Sequence, residues 1–126
     1  MMEESAAVEP LRILFLGDIF GEPGRKAVIE LLPVLRERFQ IDFTIVNGEN
    51  SAGGRGITPK IAISLLRAGV TVITLGDHAW DQADITEFMP TEPRLLRPVN
   101  YPSGAPGQNN RTRAGARIVS PSLSAF

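Results

Sequence analysis

The chain has 126 residues, a net charge of −1 and 43% apolar residues, which is enough for one small domain with a packed core. The near-neutral charge gives no sign of a surface for nucleic acid or anionic membrane. The absence of cysteine excludes disulfides and thiolate metal sites, and no apolar run approaches the ~18 residues of a membrane span.

Residues 1–10, MMEESAAVEP, are acidic and polar. They lack the basic and apolar regions of a signal peptide, and we predict a disordered leader. Together with the absence of an apolar span, this leader favours a soluble, cytoplasmic protein.

Short apolar runs mark the predicted strands. Three of them are Leu11–Leu16, Phe43–Val46 and Val70–Leu75. Runs of this length suit parallel strands that are buried on both faces. A fourth strand is predicted at Leu95–Val99, broken by Pro98.

Helical patterns separate these strands. The first covers Pro23–Phe39, and Pro33 inside it should kink or split the helix. The second covers Thr58–Gly69, with threonine as the N-cap and glycine as the stop. The third covers Asp81–Met89, with Asp81 as the N-cap. Alternating strands and helices predict an α/β fold, a parallel βαβαβ sheet with flanking helices.

The end of the chain carries weaker signals. Residues 101–110, YPSGAPGQNN, have the composition of turns and loops. Residues 108–126 show no convincing period and predict an irregular tail. We therefore place the folded domain at residues 11–107.

Polar side chains follow each predicted strand, where open parallel sheets bind their ligands. They are Asp18 after the first strand, Asn47, Glu49 and Asn50 after the second, and Asp77 and His78 after the third. Each one alone is more often a turn, cap or exposed residue than a ligand. Their clustering at one sheet edge favours a functional site.

Two kinds of site fit this edge. A nucleotide-binding turn is one, but GDIFGEPG lacks the G-x-G-x-x-G spacing and its acid would repel pyrophosphate. A two-metal site is the other, because divalent ions take carboxylate and amide oxygens together with imidazole. Such ions activate water and bind a phosphoryl group. The acids favour metals over a bare anion.

Four segments in this order resemble the YmdB-like bacterial metallophosphoesterases of the calcineurin-like superfamily. The segments are ILFLGDIFGEPGR, FTIVNGENSAGGRGIT, GVTVITLGDHAWD and LLRPVNYPSGAPG. The resemblance implies the N-terminal half of a metallophosphoesterase α/β sandwich. It also implies a divalent metal centre of iron or manganese type. The implied activity is hydrolysis of phosphodiesters, 2′,3′-cyclic nucleotides among them, by metal-activated hydroxide.

The resemblance also implies roles for individual residues. Asp18 corresponds to a ligand of the first metal, Glu49 to the bridging ligand and Asp77 to a ligand of the second metal. His78 corresponds to the catalytic histidine beside the leaving oxygen. Asn50 would be an accessory polar group.

Two departures from the family alter these expectations. The family usually has asparagine where this chain has Asp77, so the site carries an additional negative charge. The family is also about twice as long, and its second half supplies histidine ligands that are absent after His78. We therefore predict half a site, inactive alone, which a C-terminal half could complete in trans. The alternatives are a non-catalytic remnant that binds an ion or a partner, and a nucleotide-binding module.

Overall fold

The computed structural model of the chain describes residues 10–113 and 116–119. Its main sheet has four parallel strands in the order β1-β2-β3-β4. The strands are β1 (Ile13–Leu16), β2 (Phe43–Asn47), β3 (Val72–Thr74) and β4 (Leu95–Leu96). The predicted α/β fold with a parallel sheet is confirmed, because the short apolar runs are strands that lie side by side.

Strand β4 is shorter than the predicted Leu95–Val99. It ends after two residues, and the N–H of Arg97 then donates to the carbonyl of Gln108 at 2.9 Å. Pro98 has no N–H with which to continue a ladder. The outer side of β4 is therefore bridged by the segment around Gln108.

The first helix, α1 (Gly21–Phe39), is one element with Pro33 inside it. Of the two predicted outcomes at this proline, the split is wrong, whereas the kink stays a prediction. Proline leaves the carbonyl four residues earlier without its intrahelical donor. That residue is Ile29, which is 41% exposed, so Pro33 lies near the solvent side of the helix.

The second helix, α2 (Pro59–Arg67), has the predicted ends. The hydroxyl of Thr58 accepts a hydrogen bond from the N–H of Ile61 at 3.2 Å, as expected for an N-cap. After the helix, Gly69 adopts a φ of +114°, which favours glycine and turns the chain towards β3.

The third helix differs from the predicted Asp81–Met89. It is α3 (Ile85–Phe88), followed by a 3-10 turn at Met89–Thr91. Asp81 is not its N-cap, because the Asp81 carboxylate is instead paired with the ring of His78.

The segment after residue 108 is not irregular throughout. It contains an antiparallel pair, β5 (Asn110–Arg113) and β6 (Ala116–Val119). The sequence prediction missed this pair because β5 is polar throughout and β6 has only a short apolar stretch interrupted by Arg117. Residues 1–9 of the predicted leader lie outside the described residues.

One apolar core joins the sheet to the helices. Val46, Ile73 and Leu95 of the sheet belong to the same buried cluster as Leu32 of α1 and Leu65 of α2. Leu14 and Leu16 of β1 are only partly buried against this cluster. The core is thus complete under β2, β3 and β4 and thinner at β1.

Candidate metal centre

Hydrogen bonds tie together the loops that follow β1, β2 and β3. The N–H of Ile19 donates to the carbonyl of Asn47 at 3.3 Å, and the N–H of Gly21 donates to the carbonyl of Asn50 at 3.1 Å. The N–H of Gly48 donates to the carbonyl of Thr74 at 2.9 Å. The predicted site residues are therefore held at one edge of the sheet.

Asp18 and Asn50 form one part of this edge. Asp18 has a φ of +46°, an uncommon conformation for a residue other than glycine. The amide nitrogen of Asn50 donates to Oδ1 of Asp18 at 2.6 Å. Asn50 thus orients the Asp18 carboxylate, which is exposed.

Glu49 and Asp77 form the second part. The pKa of Glu49 is raised by partial burial and then by a hydrogen bond to Asp77. The N–H of His78 and the amide of Asn47 act in the opposite direction. Asp77 thus adds to burial in disfavouring the ionised form of Glu49.

Gly76 makes the position of Glu49 possible. A Cβ atom at residue 76 would overlap the Glu49 carboxylate, so any other residue would displace it. Gly76 is also buried. The backbone between β3 and Asp77 therefore forms the surface on which Glu49 lies.

His78 completes this part of the edge. Its Nδ1 lies 2.7 Å from Oδ2 of Asp81, and its Nε2 lies 3.7 Å from Oδ1 of Asp77. The hydrogen bond that the ring donates to Asp81 is the largest cause of the raised pKa of His78, and the charges of Asp77 and Glu49 add to it. The imidazole therefore holds a proton more tightly than an unperturbed histidine, and Nε2 is the ring nitrogen that Asp81 leaves unoccupied.

Sequence reasoning missed Asp81 and Tyr101 as residues of this site. Asp81 stands three residues after His78, a spacing that could have signalled the pair. The ring of Tyr101 contacts Trp80 edge to face at a centroid distance of 4.4 Å. The pKa of Tyr101 is raised by burial and then by the charges of Asp77, Glu49 and Asp81, so Tyr101 borders the acidic cluster.

The donor atoms fit a divalent cation in type. Carboxylates are available from Asp18, Glu49 and Asp77, and Oδ1 of Asn47 is buried without a hydrogen-bond partner in the described part of the chain. However, the described residues contain no group of three or more His, Cys, Asp and Glu side chains that could hold an ion. The structure pairs Glu49 with Asp77, and Asp18 with Asn50, without joining all three acids into one ligand set.

The chain has a parallel α/β sheet with paired acids and a histidine at the carboxyl ends of its strands. It therefore belongs to the class of open α/β proteins whose ligand site lies at that edge of the sheet. The sequence model of a family described as "YmdB-like protein" matches residues 14–119. The chain belongs to this family. The match includes the β5–β6 pair, which lies beyond the folded domain predicted at residues 11–107.

Three relatives are similar to the chain over much of its length. A Bacillus subtilis protein named "2′,3′-cyclic-nucleotide 2′-phosphodiesterase" is 48% identical over 98 residues, 78% of this chain. A hypothetical protein from Thermus thermophilus has a crystal structure that is 38% identical and matches 85% of the chain with a TM-score of 0.74. A crystal structure described as a novel phosphatase of Mycoplasma pneumoniae is 30% identical, with 85% coverage and a TM-score of 0.73.

The chain spans less than half the length of these relatives. It covers 37% of the Bacillus protein, 42% of the Thermus structure and 40% of the Mycoplasma structure. Among the described residues, none of the helices has the length and apolarity required to cross a bilayer.

Proposed function

We propose that this chain supplies the N-terminal part of a metal-dependent phosphodiesterase site that acts on small phosphodiesters, with 2′,3′-cyclic nucleotides as candidate substrates. The observation that carries the proposal is the Glu49–Asp77 pair beside His78, whose ring is bound to Asp81. The name of the Bacillus relative supports the substrate class, and the description of the Mycoplasma structure supports phosphate chemistry.

The cofactor in this proposal is a divalent ion of the manganese or iron type. Asp18, Glu49 and Asp77 would hold it, and the buried amide oxygen of Asn47 would be a further donor. When bound, such an ion acidifies water and offsets the negative charge of a phosphoryl group. A cation would also stabilise the ionised form of Glu49, which burial and the neighbouring Asp77 disfavour.

His78 is the proposed acid. Its Nδ1 is bound to Asp81, which fixes the ring and favours the imidazolium form. Nε2 can then donate a proton to the leaving oxygen of the phosphodiester or a hydrogen bond to a phosphoryl oxygen. Asp81 acts through His78 and is a positioning residue.

The remaining donors in this proposal come from a polypeptide equivalent to the C-terminal part of the longer relatives. The described residues bring only two carboxylates into direct contact, and a two-metal site needs several donors for each ion. We therefore propose that the chain alone has no significant phosphodiesterase activity.

A non-catalytic protein that binds one ion or a partner is the second candidate. The absence of a three-residue ligand group among the described residues favours it. The third hypothesis, a nucleotide-binding module, is less favoured because three carboxylates at the same edge would repel phosphates.

A phosphodiesterase assay separates these candidates. The chain is assayed with Mn²⁺ and bis-p-nitrophenyl phosphate, alone and together with the C-terminal portion of the Bacillus relative. We expect hydrolysis only in the mixture, with loss of activity in His78→Ala. Asp84→Asn is the matched control, because Asp84 is exposed and makes no capping hydrogen bond.

The outcomes have distinct meanings. If the chain alone hydrolyses the substrate and His78→Ala abolishes this turnover, the hypothesis of an incomplete site is wrong. The hypothesis of a phosphodiesterase then still holds. A folded, metal-loaded mixture without turnover would favour the non-catalytic candidate.

A further inference from the structure

The turn that carries His78 also carries an aromatic side chain. The N–H of Asp81 donates to the carbonyl of His78 at 3.2 Å, and the Asp81 carboxylate binds the His78 ring at 2.7 Å. Trp80 lies inside this turn, two residues after His78, and its side chain packs against the apolar core. The turn therefore fixes where the indole lies relative to the imidazole.

Tyr101 extends this aromatic surface. Its ring contacts Trp80 with the ring centroids 4.4 Å apart and the ring planes at 70° to each other. Tyr101 is half-buried and borders the cluster that contains Asp77, Glu49 and Asp81. Part of its ring is thus accessible beside the acids. We call the rings of Trp80 and Tyr101 the aromatic pair.

The loop that carries Tyr101, between β4 and β5, is anchored at both ends. The N–H of Arg97 at its start donates to the carbonyl of Gln108 at its end, at 2.9 Å. Gly107 has a φ of +87°, and a Cβ atom there would overlap the side chain of Met89, which is buried. The loop is therefore closed on the sheet, and it presents Tyr101 to the site from a fixed base.

We propose that the aromatic pair binds the base of a nucleotide substrate, with the accessible part of the Tyr101 ring in contact with the base. This inference rests on the proposed function, because it gives a place to one portion of the proposed substrate. Aromatic side chains stack on nucleobases, and such a contact tolerates every base because each has a π-face. The aromatic pair therefore favours nucleotides over phosphodiesters that lack a base, without selecting one base.

The chemistry of a 2′,3′-cyclic nucleotide places its base on the His78 side of the site. When the cyclic diester opens, the leaving oxygen is a ribose oxygen, and His78 is its proposed proton donor. The base is bonded to the ribose carbon next to the one that bears O2′. A ribose at Nε2 of His78 therefore brings the base towards the side chains that flank His78, and the aromatic pair is among them.

Phe20 is a more exposed aromatic side chain at the same end of the sheet. Its exposed fraction is 61%, and a Cβ atom at Gly54 would meet its ring at 3.0 Å. Phe20 follows Asp18 by two residues, so it belongs to the part of the edge formed by Asp18 and Asn50 and not to the part that holds His78. It is therefore a matched control for non-specific stacking.

Saturation-transfer NMR on the full chain tests the proposal without requiring catalysis. The probe is 2′,3′-cyclic AMP, and the measurement reports which of its protons receive magnetisation from the protein. We expect the base protons to receive more than the ribose protons. Tyr101→Leu should weaken binding of the probe about fivefold or more, because a stacking contact is lost, whereas Tyr101→Phe should retain it. Phe20→Leu should leave binding unchanged.

Tryptophan fluorescence gives a second measurement, which requires no substitution. Trp80 is the only tryptophan in the chain, so the emission reports on the aromatic pair directly. We expect 2′,3′-cyclic AMP to change the emission in a saturable way. Dimethyl phosphate, a phosphodiester without a base, should leave the emission unchanged at the same concentrations. An equal response to both compounds would overturn the proposal.

Three NMR results would also overturn it. One is the absence of magnetisation transfer to the base protons with the wild-type chain. Another is an equal loss of binding in Phe20→Leu, which would show non-specific stacking. The third is a loss in Tyr101→Phe as large as that in Tyr101→Leu, which would assign the contact to the phenol hydroxyl instead of the ring.

Two outcomes separate this proposal from the enzymatic one. If the base contact depends on the Tyr101 ring but no phosphodiester is hydrolysed, even with the C-terminal portion of the Bacillus relative, the base contact stands and the proposed function fails. If that mixture hydrolyses 2′,3′-cyclic AMP and Tyr101→Leu leaves kcat/KM unchanged, the proposed function stands and the base contact is wrong.

Discussion

Replacing Gly76 with alanine tests how closely the backbone after β3 supports Glu49. A Cβ atom at residue 76 would overlap the Glu49 carboxylate, while the φ of Gly76 is not positive. The substitution therefore introduces a steric conflict with one side chain and little backbone strain. Glu49 must leave its position and lose the hydrogen bond from the N–H of His78.

The magnitude follows from these losses. Because His78 is not buried, the lost hydrogen bond costs about 0.5–1.5 kcal/mol, and an off-rotamer side chain costs about 0.5–1.5 kcal/mol. We expect Gly76→Ala to reduce the free energy of unfolding by about 1–3 kcal/mol, which is the sum of these two costs. For a domain of about 100 residues, each kcal/mol lowers Tm by about 4–8 °C.

A double-mutant cycle in urea isolates the contact. In the Glu49→Ala background the conflict disappears, and Gly76→Ala should then stabilise the chain by about 0.4–1 kcal/mol through the unfolded state. Gly104→Ala is the control, because a Cβ at residue 104 meets no atom within 4 Å. An equal cost of Gly76→Ala in both backgrounds would show that Glu49 does not lie against this glycine.

Three other predictions concern charge and metal. The resonance of the only histidine, His78, should titrate above pH 6.5, and Asp81→Asn should lower its pKa whereas Asp84→Asn should not. The pKa of His78 is higher in the folded chain than in the unfolded chain. Its contribution to the free energy of unfolding is therefore present below pH 6.5 and is lost as pH rises through the folded pKa. If wild type and His78→Ala differ in free energy of unfolding by the same amount at every pH, this prediction is wrong. Calorimetry with Mn²⁺ should detect one weak site in the chain alone, and binding unchanged in Glu49→Ala would show that Glu49 is not a ligand. In a complex with the C-terminal portion, Asp77→Asn should weaken Mn²⁺ binding and raise phosphodiesterase turnover; lower turnover at full metal occupancy would show that the site is adapted to the carboxylate.

The fold was predictable where local patterns and packing agree. The strands β1, β2 and β3 coincide with the predicted apolar runs, and Thr58 caps α2 as its sequence indicates. The prediction failed where a local rule was overridden by the surrounding structure. Helix α1 continues through Pro33, and the Asp81 carboxylate binds His78 instead of starting a helix.

The site was predictable only as a set of residue types at one sheet edge. Asp18, Glu49 and Asp77 follow successive strands in the chain, so their common edge was predictable. Which of these side chains contact one another depends on the geometry of the loops, and the pattern of apolar residues does not encode that geometry. The contact between Trp80 and Tyr101 joins residues that are distant in the chain, and it brings a phenol to the border of the acidic cluster. The metal-ligand and catalytic roles of the predicted residues remain predictions.

The proposed half-site implies a thermodynamic link between metal binding and complex formation. If a C-terminal portion brings donors to Asp18, the complex binds a cation more tightly than the chain alone. Linkage then requires the cation to strengthen the complex by the same factor. The C-terminal portion should therefore raise the affinity for Mn²⁺ by the same factor by which Mn²⁺ raises the affinity of the complex. A complex whose affinity does not depend on Mn²⁺ would show that the C-terminal portion binds without completing the metal site.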